Sequence, residues 1–333
     1  VTPGSAGSGP IDIRPYEEAA LDSLVDLLNE AIRGRRSAGT VSAAEFRARV
    51  LTHPGFDPAG LLTACDADGS VVGAVHAVTP PIHMQRYARL AGRGYIFGPY
   101  VRPGMRGLGL GHALLAEAES HLTPTCDVAF IHGLRSPFYH TQEGPRQPYC
   151  GSTEVIGLTH DDAALLDFLG RRNYTPVEER EVSMVASLHS PPLPGQLPPH
   201  LHLIRFDSTS PWTGKVAWVN DTAIGYGYEQ FQPMAAYETV AVVVDDTLMG
   251  QCQWYPLRRV GRVALFDLRL DDSLRGLGAG SALLDSALTA MARAGYIEVE
   301  LHTSPQRNDI AYRMYRSRGF RDVVDWIIMQ KRL

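Results

Sequence analysis

Two short runs of this chain combine residue types and spacing that suit an anion. Arg106-Gly107-Leu108-Gly109-Leu110-Gly111-His112 recurs as Arg275-Gly276-Leu277-Gly278-Ala279-Gly280-Ser281. Glycines let a backbone turn sharply and approach a ligand closely, and the first amides of a following helix have no carbonyl one turn back to receive them. With the helix dipole these amides favour a phosphate-like group, and the arginine adds a charge-assisted donor. The spacing is GxGxG and not the GxGxxG of a dinucleotide fingerprint. The run also follows the fourth expected strand, and it lacks the Lys-Ser/Thr ending of a P-loop. A glycine-rich helix start that binds nothing is the competing reading, and finding the run twice in one context weakens it.

The elements that must position these runs also repeat. Over residues 106–115 and 275–284, eight of ten positions are identical at an offset of 169. Each run follows an apolar strand-like stretch, Tyr95–Val101 or Val263–Leu270. Each opens a helix with apolar residues at helical spacing, Leu114, Leu115, Ala118 and Leu122 against Leu283, Leu284, Ala287, Leu288 and Met291. Each then leads to another strand, Val128–His132 or Ile297–Leu301. The chain therefore reads as a tandem duplication of one α/β unit. Further strands are expected at Ile11–Arg14, Leu61–Asp66 and Val71–Thr79, with Asp66-Ala67-Asp68-Gly69 as a hairpin turn. Helices are expected at Ala20–Arg33 and Ser42–Leu51, and Thr239–Asp245 with Leu248–Tyr255 repeats the hairpin around Asp246. Pro191, Pro192, Pro194, Pro198 and Pro199 mark a stiff extended linker. The expected division is a loose tail over 1–10, a first domain over 11–186, a linker over 187–200 and a second domain over 201–333.

Composition narrows the class. A chain of 333 residues exceeds the roughly 250–300 at which single cores stop growing. At 44% hydrophobic and 20% charged it is an ordinary globular protein. A net charge of −5 gives no broad basic face, so no nucleic-acid partner is expected. No stretch approaches the ~18 apolar residues of a membrane span, and the first residues show neither part of an export signal. Cys65, Cys126, Cys150 and Cys252 form no CxxC pair, which suits the reduced thiols of a cytosolic chain, and no metal site is expected. Lys215 and Lys331 are the only lysines against many arginines, a bias expected of a GC-rich genome.

Val101-x-Pro103-x-x-Arg106-Gly107-x-Gly109-x-Gly111 resembles the acetyl-CoA signature of the GCN5-related N-acetyltransferases. The second copy resembles it with Asp272 in place of the proline. Its Asn308-Asp309-x-Ala311-Tyr312-x-x-Tyr315-x-x-x-Gly319-Phe320 also resembles the family's downstream motif. The resemblance spans both halves. It implies an α/β fold of the α+β type, with two tandem domains that are each a mixed, mostly antiparallel splayed sheet flanked by helices. It also implies acetyl-CoA as cofactor, a small-molecule or peptide amine as acceptor, and a monomer or homodimer. On that pattern the runs 106–112 and 275–281 hold the pyrophosphate. Main-chain groups at Leu268 and Leu270, or Tyr100 and Val101, face the cofactor, and Asn308 touches it.

Acetyl transfer to an amine needs loss of an ammonium proton, stabilisation of an oxyanion and an acid for the leaving thiolate. A phenol of pKa ~10 can protonate a thiolate of pKa ~8.5 once the two touch. The resemblance assigns this to Tyr315; the other reading makes Tyr315 one more aromatic on an amphipathic helix with Tyr312. Asn308 reads equally as a helix N-cap. In the first copy the matching helix, Asp161–Arg172, ends in Asn173-Tyr174 where the second has Gly319-Phe320. Leu169 then falls opposite Tyr315, and Asp162 opposite Asn308. The offset drops from 169 to 146, leaving 23 extra residues within 133–160. Leucine cannot protonate a thiolate, so the second copy is expected to be catalytic and the first to keep a cradle. Three rivals remain. The insert's Tyr139, His140 or Tyr149 replaces the acid; the first copy is the active one; or the whole chain is a non-catalytic acyl-CoA-binding scaffold. Asp267 and Glu238 are the candidate general bases with His302 third, and each also reads as an ordinary surface or turn residue. Trp212, Trp218, Tyr226 and Tyr228 line an acceptor pocket or fill a core.

Overall fold

Apolar alternation becomes strand and 3.6-residue periodicity becomes helix in each half of the computed structural model, which describes residues 11–34, 39–52, 56–79, 92–131, 157–193, 197–217 and 237–333. The tail over 1–10, residues 133–156 of the insert over 133–160, and Trp218, Tyr226 and Tyr228 lie outside the described residues. Among the described residues no helix is long and apolar enough to cross a membrane. Cys65, Cys126 and Cys252 are buried free thiols.

The first unit contains β1 (Asp12–Pro15), α1 (Leu21–Ile32), α2 (Ala43–Phe46), β2 (Leu61–Cys65), β3 (Val71–Val78), β4 (Arg93–Val101), α3 (Leu110–Leu122), β5 (Val128–Ile131), α4 (Ala163–Gly170) and β6 (Thr175–Pro176). The chain's last strand, β15 (Met329–Arg332), joins them. The sheet order is β1-β2-β3-β4-β5-β15-β6, with β4 and β5 parallel. The Asp66 turn forms as its residues require, the Asp66 carboxylate accepting from the amides of Asp68 and Ser70. Leu21, Leu24, Val25, Leu27 and Ile32 form the buried stripe of α1.

The second unit contains β7 (Glu181–Ser187), β8 (His202–Asp207), β9 (Lys215–Val216), β10 (Glu238–Val244), β11 (Thr247–Pro256), β12 (Arg262–Leu270), α5 (Ala279–Arg293), β13 (Glu298–Thr303), α6 (Asp309–Ser317) and β14 (Arg321–Trp326). Its sheet runs β14-β7-β13-β12-β11-β10-β8, with β9 paired to β11. Asp245 and Asp246, at φ +46° and +57°, make the tight turn of the β10–β11 hairpin. One face of the sheet, through Val240, Trp254, Val263, Leu265, Val299 and Leu301, packs against Leu283, Leu284, Ala287 and Met291 of α5. Tyr315 and Phe320 complete that core.

The division at 11–186 and 201–333 is corrected by the pairing. β7, which precedes the proline-rich stretch, lies inside the second sheet between β13 and β14. β15, from the end of the second half, lies inside the first sheet between β5 and β6. The halves thus exchange equivalent strands. Alternation tells which residues of a strand face a core, here Val182, Met184 and Ala186, but not which sheet the strand joins.

In both sheets the parallel pair is short. β4 pairs with β5 over Arg93–Ile96, and β12 with β13 over Arg262–Ala264. Just beyond, each central strand carries an extra residue against its antiparallel neighbour, at Gly98–Pro99 in β4 and at Phe266 in β12. A bulge bends its strand; the antiparallel ladder resumes beyond it while the parallel pairing does not. A wedge follows, bounded by the far ends of the parallel strands and by the glycine turn.

Candidate functional site

The two glycine turns have one geometry. Gly107 and Gly109 sit at φ +80° and +84°, and Gly276 and Gly278 at +78° and +77°. An added Cβ at any of the four meets nothing within 4 Å, so conformation and not crowding demands glycine. Gly109 and Gly278 are the N-caps of α3 and α5, which begin at Leu110 and Ala279. The first-turn amides, those of Leu110, Gly111 and His112 or Ala279, Gly280 and Ser281, head the two helices at the mouth of the wedge. Leu108 and Leu277 are exposed on the turns, and Leu268 and Leu270 lean on the α5 core. Tyr100 and Val101 end β4 in register with Ala74 and Gly73.

The arginines differ. Arg106 donates from Nε to the carbonyl of Val101 at 3.0 Å. Arg275 places Nη2 2.6 Å from Asp272 Oδ1, the aspartate that replaces Pro103. In the first unit, Arg172 Nη1 lies 3.2 Å from His112 Nε2, and Phe168 stands 3.8 Å from an added Cβ at Gly111.

The helix that follows β13 supports the Leu169–Tyr315 equivalence at the level of backbone. Tyr315 O accepts the amide of Phe320 at 3.2 Å, across Gly319 at φ +80°. Leu169 O accepts the amide of Tyr174 at 3.1 Å, across Asn173 at φ +66°. Both helices end in the same left-handed cap. Tyr315 is 6% exposed with its ring 5.5 Å from that of Phe320, and Leu169 is fully buried. Asn308 is not a side-chain cap: its Nδ2 donates to Thr303 Oγ1 at 3.3 Å. Asp162, its counterpart, closes a capping box with Thr159.

The face of the second sheet opposite α5 carries a polar row beside apolar clusters around Tyr255 and Ala241. Gln253 Nε2 donates to Thr239 Oγ1 at 3.4 Å, and Gln251 Nε2 donates to Asp267. Arg269 Nε lies 3.9 Å from Asp267, so this candidate base is already engaged from two sides. His302 Nε2 lies 2.9 Å from Glu181 Oε2, and Arg307 Nη2 lies 2.7 Å from Glu181 Oε1. Burial pushes the Glu181 carboxyl up, but the contacts from His302 and Arg307 outweigh it and hold the group below the usual carboxylate range.

Glu238 is not brought to the wedge. It lies on the α5 face, takes Arg205 Nη2 at 2.8 Å, and lines a cavity of about 230 Å³ with Asp207, Tyr237, Trp254 and Tyr296. That cavity, lined also by Pro256, lies at the end of the sheet where β12 and β13 begin. Burial and the Glu238 charge push the Tyr296 phenol up. Trp212, on the opposite face, packs on Phe206 at 6.4 Å and donates to the carbonyl of Lys215. Sequence reasoning missed Glu181 and Arg307. The available signal was an acid at the head of an alternating apolar run, Glu181 before Val182, Met184 and Ala186.

A model of the acetyltransferase (GNAT) family matches residues 21–132 and 184–320. Among solved structures, a tandem GNAT protein from the clavulanic acid biosynthesis pathway is similar at TM-score 0.68 and 16% identity, over 97% of this chain and 98% of that one. A GCN5-related N-acetyltransferase from Sphaerobacter thermophilus is similar at TM-score 0.63 and 17% identity, over 97% and 95%. These likenesses concern the fold. No curated protein matches the chain.

Proposed function

Because the chain belongs to the acetyltransferase (GNAT) family, we propose that it is a cytosolic N-acetyltransferase that moves an acetyl group from acetyl-CoA to a primary amine. The second unit is the catalytic one, and the first keeps a cofactor cradle. The chain's own residues fit the cofactor. Each turn offers two left-handed glycines with open space at Cβ and a helix start whose amides point outward. Residues Arg275–Ser281, the strand end at Leu268 and Leu270, and Asn308 would hold it in the second unit. Arg106–His112 with Tyr100 and Val101 would do so in the first. When bound, acetyl-CoA supplies a thioester whose carbonyl carbon takes the amine and whose sulfur leaves.

Tyr315 donates the proton that the departing sulfur needs. One observation carries this assignment. At the same backbone position, one turn before a left-handed helix cap, the first unit has Leu169, which has no proton to give. The acceptor is a small-molecule or peptide amine, and the net charge of −5 favours a cationic one.

The test is release of free thiol from acetyl-CoA across a panel of primary amines. Tyr315→Phe is expected to lower kcat by about 10²-fold or more, the range for loss of a general acid, with CoA affinity unchanged. Unchanged turnover in that variant removes the role from Tyr315. A wild type that binds CoA and releases no thiol with any amine supports the scaffold reading instead.

A further inference from the structure

The second unit holds a buried polar cluster that the acid at Tyr315 leaves without a role. His302 stands on β13 two residues beyond Glu300, the last residue of that strand in register with β12. It therefore belongs to the part of β13 that borders the wedge. Val299 and Leu301 face α5, so alternation puts His302 on the opposite face. Its side chain is 3% exposed. Nε2 meets Glu181, while Nδ1 is buried and has no hydrogen-bond partner among the described residues. Glu181 is itself 2% exposed and is held on its other oxygen by Arg307. Glu179 takes the second arm of Arg307 at 3.2 Å and the Ser304 hydroxyl at 2.9 Å.

A carboxylate kept ionised by a guanidinium accepts a proton-bearing nitrogen. The ring hydrogen therefore sits on Nε2, and Nδ1 keeps a lone pair. A buried acceptor left without a donor is unfavourable, and a ligand's N–H group relieves it. We infer that His302 is the general base of the second unit, taking a proton at Nδ1 from the ammonium of the acceptor, with Glu181 as the positioning residue that sets its tautomer. This deepens the reading of the second unit as catalytic and rests on it.

The balance is complete. The ammonium gives one proton to Nδ1, its nitrogen forms the C–N bond as the C–S bond breaks, and a second nitrogen proton reaches the sulfur through Tyr315. The imidazolium, stabilised by Glu181, returns its proton to water. Tyr315 belongs to the α5-side core and His302 to the other face of the sheet, so the proposed acid and base come from opposite faces. The charged groups around His302 are Glu181 and Glu179, Arg307 before α6, Glu300 on its own strand, and Asp267 and Arg269 across the wedge. Asp267 is engaged by Gln251 and Arg269, which leaves the imidazole as the base with an open lone pair. Glu181 comes from the exchanged strand β7, so this site draws on residues before and after the proline-rich stretch.

Nitrogen-15 NMR of histidine in the full chain reads the tautomer without any turnover. A protonated Nε2 and a bare Nδ1 are expected, with the two forms mixing in Glu181→Gln; a protonated Nδ1 in the wild type overturns the inference. In turnover, His302→Gln, whose amide still donates to Glu181, is expected to lower kcat about 10²-fold or more. It should also erase the acid limb of the kcat/KM profile, with CoA affinity and Tm unchanged. Added imidazole is expected to restore part of the rate to His302→Ala. A wild-type pH profile in His302→Gln beside a Tyr315→Phe enzyme that has lost activity overturns this inference alone. A wild type that releases no thiol with any amine overturns the catalytic reading and this inference with it.

Discussion

Lys331 on the last strand, β15, places its ammonium 2.6 Å from the carboxylate of Glu119 on α3. The other oxygen of that carboxylate takes the Tyr174 hydroxyl at 3.0 Å, and the ammonium sits 5.5 Å above the Tyr174 ring. Burial and the Glu119 charge push the Tyr174 phenol up, which keeps it a donor. One carboxylate on the helix that the first glycine turn opens therefore fastens the exchanged strand and the segment leading into β6. The second unit fastens its own exchanged strand in a similar way. Arg180 reaches Asp325 at 2.5 Å and Asp322 at 3.0 Å, and Trp326 donates to Ser183 at 2.9 Å.

The first prediction concerns where the chain can be cut. A fragment over 201–333 lacks β7, so β13 and β14 lose the strand between them and the core loses Val182, Met184 and Ala186. Burial of side chains of this kind contributes about 1.5–3 kcal/mol each for the larger ones, a sum comparable to the whole stability of a domain. The fragment is expected to show no cooperative thermal transition by circular dichroism, whereas one over 177–327 melts cooperatively. A sharp melt for 201–333 would refute the exchange.

A second prediction follows from the unequal arginines. Asp272 occupies Arg275, while Arg106 donates to the carbonyl of Val101 and has no carboxylate partner among the described residues. Exposed pairs of this type are weak, so releasing Arg275 should shift anion affinity by about two- to fivefold and no more. Calorimetry of Asp272→Asn is expected to show tighter CoA binding by that factor, with a steeper salt dependence. Equal affinity in mutant and wild type would mean that Arg275 does not serve the cradle.

The third prediction is a pH dependence of stability. His76 is fully buried on β3, with its ring 5.8 Å from that of Phe56. Burial first, and the nearby His121 second, push it from 6.5 down to about 3. Below about 6.5 the unfolded chain binds a proton that the folded chain refuses, so stability is full above that value and falls toward pH 3. The slope from this group approaches about 1.4 kcal/mol per pH unit. Urea midpoints at pH 7.5, 6 and 5 should fall in that order, and His76→Phe should flatten the fall. An unaltered slope in the variant would place the effect elsewhere.

Much of the architecture was legible because its signals are local. The paired φ values at Gly107 and Gly109, and at Gly276 and Gly278, follow from a residue type that alone adopts them cheaply. The match of Leu169 to Tyr315 was legible because Asn173 and Gly319 both suit the left-handed cap that ends each helix. Glu238 starts its strand as expected, but its distance from the wedge was not legible, because strand position gives the face of a residue and not its height relative to a bulge in another strand. The His302–Glu181 pair was not legible at all, since its partners lie 121 residues apart and meet only through strand exchange.

From the sequence alone came the duplication, the two glycine turns, the loss of the phenol in the first copy and the family resemblance. Each depends on residue type at short spacing, where covalent geometry and backbone conformation act directly. Tertiary structure decided which sheet receives β7 and β15, and that a carboxylate from β7 meets an imidazole on β13. Those outcomes rest on long-range pairing, which alternation permits in either sheet and only the packed core selects.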